Sequence, residues 1–149
     1  MKFATRFFRA VVTVHVMLLL TQPVLIGLFL SGGDDAKLRA HEMVGSAVAV
    51  SGLLLVVASV LAWRIARWPA MAVVWCVVLL IAEVVQLTMG YDRHLGVHVP
   101  LGVLLAITAC LLYEWVYKPK PSRSLESRPS TTVPDPSPLE VPRLGGHLS

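Results

Sequence analysis

The feature that most limits what this chain can become is a set of four long apolar stretches, Phe7–Leu30, His41–Trp63, Pro69–Met89 and Val97–Tyr117, almost free of charge inside. A hydrocarbon core of about 30 Å is crossed by about 20 helical residues at 1.5 Å each, so each stretch is long enough to span a bilayer. Backbone polar groups have no water to bond in lipid. Segments that lack the alternation of a barrel strand must therefore satisfy them internally, as α-helices. The expected fold class is all-α: a polytopic, four-transmembrane-helix bundle, residues 1–118. A segment rich in Pro and Ser, 119–149, is expected to form a disordered tail because it holds too little apolar surface to offset the entropy of ordering.

Composition supports the membrane class and weakens others. Of 149 residues, 56% are hydrophobic and the mean hydropathy is +0.71, above the usual apolar share of a soluble domain. The net charge of +4 does not suggest nucleic acid as a partner, because the Lys and Arg sit at span ends and in the tail with no basic face interleaved with aromatics. They read instead as topology signals. Lys2, Arg6 and Arg9, then Arg64 and Arg67, then Lys118, Lys120 and Arg123 mark three segments as cytoplasmic. The loops at 34–40 and 91–96 fall outside, which puts both termini inside a multi-pass protein of the cell membrane. Trp63, Trp68, Trp115 and Tyr117 collect at the inner boundary, where amphipathic rings prefer to lie. Cys76 and Cys110 are both inside apolar runs and form neither a CxxC pair nor a disulfide framework.

Punctuation agrees with these spans. Asp34 or Asp35 suits the cap of the second helix, Pro69 the first turn of the third, and Gly90 its end. Pro23 should kink the first helix and free a carbonyl, whereas Pro100 lies near the start of the fourth, where its missing N–H matters less.

A few polar residues in the spans need an explanation, since an ionisable group in hydrocarbon costs about 2.5–3.5 kcal/mol even on lenient scales. His15, Leu19 and Gln22 share one face of the first helix, and Glu83 and Gln86 one face of the third. Each odd helix thus carries a polar stripe. His15 and Glu83 are candidate proton-relay residues; the plainer reading is an interhelical hydrogen bond from His15 to Gln or Thr and a protonated Glu83 bridging helices. His94 and Glu42, in or next to the outer loops, read as solvated, and His147 in the tail carries no reading.

The pattern also repeats. Gln22 and Gly27 precede a loop and His41-Glu42-Met43-Val44-Gly45; Gln86 and Gly90 precede a loop and His98-Val99-Pro100-Leu101-Gly102. Both helix pairs begin and end on the same side, so the repeat is expected to be tandem and parallel, about an axis along the membrane normal. Two equivalent histidines would then open the even helices and face each other, as the two axial ligands of a low-spin haem do. Gly45 and Gly102, one turn on, would leave room for a flat macrocycle, with Gln22 and Gln86 bounding it. Small residues at this spacing equally serve close helix packing.

The Gln-to-Gly ending of the odd helices followed by a histidine on the even ones resembles one half of haem A synthase, and cytochrome-b-type membrane proteins in general, over residues 7 to 117. The resemblance implies haem b ligated by His41 and His98 near the outer surface. The synthase has two such halves and an outer-loop cysteine pair that this chain lacks. Electron transfer or redox sensing, with a quinol or another membrane redox protein as partner, therefore fits better than haem modification. A haem-free accessory subunit and a small transporter component using Glu83 and His15 are the alternative classes.

Overall fold

A computed structural model describes residues 1–118, and the expected tail lies outside the described residues. The described residues fold entirely as helices and their connections: α1 Lys2–Leu30, α2 Asp35–Ala66, α3 Met71–Tyr91 and α4 Leu95–Tyr117. Each helix is long and apolar enough to cross a bilayer. Their outward faces carry large apolar side chains, including Val14, Leu54, Val78 and Leu104, each at least half exposed. Such surface is unfavourable in water and at home in lipid.

Short connections join successive helices, so neighbours are adjacent in space. The packing is cyclic: α1 lies on α2, α2 on α3, α3 on α4 and α4 back on α1. The helices α1 and α3 therefore occupy one diagonal of a square bundle, α2 and α4 the other. The core between them is built from Phe8, Val12, Leu55, Ala58, Leu79, Leu105 and Ala109, among others.

Two ends can be distinguished. At the tryptophan end, Phe8, Trp68 and Trp115 meet edge to face with ring centroids 5.4 and 5.6 Å apart. Arg9 stacks over the Tyr117 ring and donates from Nε to the Val116 carbonyl at 3.3 Å. These contacts tie the beginning of α1 to the end of α4 and to the turn after α2. That turn is closed by Arg67 in the left-handed region, at φ 55°.

Helix limits differ from the sequence expectation where helices emerge from the apolar zone. Hydropathy marks only the part of a helix that lipid would cover, whereas α1 begins at Lys2 and α2 at Asp35 because polar turns satisfy their end groups in water. Helix α2 starts at the expected cap, although the Asp34 side chain makes no capping bond. His41 is consequently two turns into its helix rather than at its start. Pro69 precedes α3, whose N-cap is Ala70, and Gly90 lies inside the last turn. Helices α1 and α4 run through Pro23 and Pro100.

Candidate functional site

At the end opposite the tryptophans, the α2–α4 diagonal brings two histidines together. The rings of His41 and His98 have centroids 6.3 Å apart and planes at 77°. Each is positioned by the helix that precedes it. His98 Nδ1 donates to the Gln86 main-chain carbonyl at 2.9 Å, and His41 Nδ1 lies 3.3 Å from the Gln22 carbonyl. A proton on Nδ1 leaves Nε2 as the ring's free lone pair, the form in which imidazole binds a metal. Neither Nε2 makes a hydrogen bond among the described residues.

The two halves place their glutamines alike. The Gln22 amide lies against Gly45, 3.6 Å from where a Cβ would be, and a Cβ on Gly102 would fall 2.8 Å from Gln86 Nε2. With its oxygen toward the Gly45 N–H at 3.1 Å, the Gln22 amide offers its NH2 to the His41 carbonyl at 3.2 Å and to Nδ1 at 2.9 Å. Nδ1 of His41 can therefore donate to the Gln22 carbonyl or accept from the Gln22 amide. Its ring proton has two stations, Nδ1 and Nε2. The space above Gly45 and Gly102 is thus taken by glutamine side chains. Gly90 serves the same end: a Cβ there would sit 2.8 Å from His98 Cε1, so its lack of side chain lets α3 approach the ring.

Deeper in the bundle, the α1–α3 diagonal carries a second polar contact. His15 and Glu83 are 0% and 3% exposed, and His15 Nε2 lies 2.9 Å from Glu83 Oε1. His15 Nδ1 is 2.9 Å from Ser51 Oγ, whose own hydroxyl donates to the Val48 carbonyl at 2.8 Å. Ser51 can then only accept from the ring, which fixes the first proton of His15 on Nδ1. Among the described residues, Nε2 and Oε1 have no other partner. Two facing lone pairs would repel, so the contact requires a further proton between them. The second carboxyl oxygen, Oε2, rests against the bare Cα of Gly52 and has no hydrogen-bond partner among the described residues.

Sequence reasoning had placed His15 opposite Gln or Thr; Ser51 and Glu83 hold it instead. Ser51 and Gly52 are the functional neighbours that the sequence pattern does not single out. Periodicity reveals a helix face, but not which face across the bundle it meets. A buried serine flanked by apolar residues gives no separate signal. His94 is exposed at the N-cap of α4. No cluster of three or more His, Cys, Asp or Glu that could hold a metal ion occurs among the described residues. No family model matches the chain, nor does any curated protein or solved structure.

Proposed function

We propose that this is a small b-type haem protein of the cell membrane, with His41 and His98 as axial ligands, both termini cytoplasmic and a role in electron transfer or redox sensing. The observation that carries the reading is the spacing of the two rings. Two metal–imidazole bonds of about 2 Å, with about 1.2 Å from each nitrogen to its ring centre, span roughly 6.4 Å. The ring centroids are 6.3 Å apart. The two imidazoles match an iron centre in donor type, number and separation of their ring centres, while the glutamine amides, not a macrocycle, hold the space above Gly45 and Gly102.

A haem b held there would supply one-electron chemistry at its iron. The rest belongs to the chain. The Gln86 carbonyl orients the His98 ring and keeps its proton on Nδ1, and the Gln22 carbonyl does the same for His41 in the tautomer protonated at Nδ1, which raises the basicity of the ligating nitrogens. Gly45, Gly102 and Gly90 let the glutamines and the His98 ring come close, so the ligands are held by packing as well as by hydrogen bonds. The two histidines are half-buried at the end of the bundle, which suits partners that approach at the membrane surface, such as a quinol or another membrane redox protein. Basic residues at the tryptophan end support its assignment to the cytoplasm.

The test is absorption spectroscopy of the full chain purified from haem-replete cells. A Soret band, with resolved α and β bands on reduction, is expected for the wild type. Substituting either His41 or His98 by Ala should abolish or convert these bands without loss of membrane insertion. A colourless protein, or a spectrum indifferent to both substitutions, would overturn the reading and favour an accessory subunit.

A further inference from the structure

We infer that the buried His15–Glu83 pair is a proton-binding site coupled to the redox state of an iron held by His41 and His98, keeping its proton when that iron is reduced and releasing it on oxidation. The inference rests on the haem reading above.

The argument starts from proton counting. Ser51 fixes one proton on His15 Nδ1, so the 2.9 Å contact between Nε2 and Oε1 exists only with one additional proton, whichever atom carries it. In that state the pair is neutral overall. Without that proton it is a lone carboxylate facing an imidazole lone pair, in a setting where an uncompensated charge is costly. Something nearby must gain positive charge for the proton to leave.

The position of the pair supplies that link. Glu83 is three residues from Gln86 on the same face of α3, a rise of roughly 4.5 Å, and His15 is seven residues from Gln22 on α1, a rise of roughly 10 Å. The pair therefore lies about one to two turns beneath the histidine site, separated by protein of low dielectric where charges interact strongly. Oxidising the iron by one electron adds one positive charge; releasing one proton from the pair removes one. The sum over the two sites is unchanged, so the bundle interior never carries the net charge that either change alone would create. The electron passes to or from a one-electron carrier, and the proton to or from the aqueous phase. Gln86 marks a route, since its buried Oε1 has no hydrogen-bond partner and stands between Glu83 and the histidine end.

Few other groups compete for this role. On α3, Cys76 is buried but seven residues before Glu83, roughly 10 Å along the helix. On α2 the pair meets the Ser51 hydroxyl and Gly52, on α1 only His15 is ionisable at this depth, and the buried residues of α4 are Leu105, Ala109, Leu112 and Val116.

The test is a potentiometric titration of the full-length holoprotein in detergent with soluble mediators between pH 6 and 8, alongside its absorption spectrum. One proton per electron predicts a midpoint that falls by about 59 mV per pH unit, a tenfold change in proton activity for a one-electron couple. E83Q, which keeps size and a hydrogen bond to His15, should retain the wild-type spectrum and lose most of this slope. A reduced-minus-oxidised infrared spectrum should show a change at Glu83 or His15 that disappears in E83Q and H15N. A normal haem spectrum with a pH-independent midpoint would overturn the inference and leave the haem reading standing, as would a slope undiminished in E83Q. Absence of the Soret band would overturn both.

Discussion

Gly52→Ala isolates the deep pair without touching any ionisable group. A Cβ at this position would run into Glu83 Oε2, and would also lie 3.1 Å from Glu83 Cδ and 3.3 Å from Leu80 Cδ1. The carboxyl cannot retreat along α3 without opening its contact with His15. Removing a glycine from a helix interior would by itself stabilise by about 0.5–1 kcal/mol, whereas overpacking a tight interior costs about 1–3 kcal/mol. The expected net loss is therefore up to about 2.5 kcal/mol from packing alone. A buried polar group left without its partner adds about 1–3 kcal/mol. Thermal unfolding followed by the fluorescence of the four tryptophans measures this in one detergent for all variants. Gly27→Ala is the control, because nothing lies within 4 Å of a Cβ there; it should melt at or above the wild type. Gly52→Ala should melt several degrees lower, and combining it with Glu83→Ala should restore part of the difference, since the clash is then gone. A Gly52→Ala protein as stable as Gly27→Ala would refute the placement of the carboxyl against α2.

Gly102→Ala should displace the Gln86 amide and broaden or shift the haem bands, whereas Gly96→Ala, with nothing within 4 Å of its Cβ, should leave them unchanged. Because Cys110 is exposed and Cys76 buried, an apolar maleimide in detergent should label the native protein once, at Cys110, and twice only after unfolding. In cells, a membrane-impermeant thiol reagent should reach Ser31→Cys from outside and Ser127→Cys only after the membrane is opened, in a background with both native cysteines replaced; labelling of both from one side would defeat the proposed orientation. His94→Ala, at an exposed N-cap with no side-chain capping bond, should be spectrally silent.

The four-helix architecture was legible because lipid imposes a strict rule: about 20 continuous apolar residues per crossing, whatever the packing inside. Helix ends were less so. Charged residues such as Asp35, Lys37 and Arg39 interrupt the hydropathy signal but not the helix, so His41 looked like a helix start when it is the seventh residue of α2. The repeated Gln and His-x-x-x-Gly pattern pointed to the residues that converge at the histidine end. It did not show that the glycines accommodate the glutamine amides of the preceding helices. His15 and Glu83 stood out as charges in apolar surroundings, yet their meeting depends on which helices face each other across a diagonal, information that no single stretch of sequence contains. Ser51 and Gly52 take part through one hydroxyl and one missing methyl group, which leave no imprint on hydropathy.

The crossed diagonals have a consequence for how the molecule could be assembled from parts. The hairpin α1–α2 supplies His41 and His15; the hairpin α3–α4 supplies His98 and Glu83. A hairpin paired with a copy of itself about a two-fold axis would still bring two like histidines face to face, since that site needs the same residue from each partner. It could not bring one acid to one base without duplicating both. Counting from Gln22 and Gln86, the position of His15 corresponds to Leu79 and that of Glu83 to Leu19, both buried, so the deeper layer is where the two hairpins differ. Expressed as separate fragments, they should re-form the upper site in homotypic as well as mixed pairs, while the lower site would report only the correct mixture.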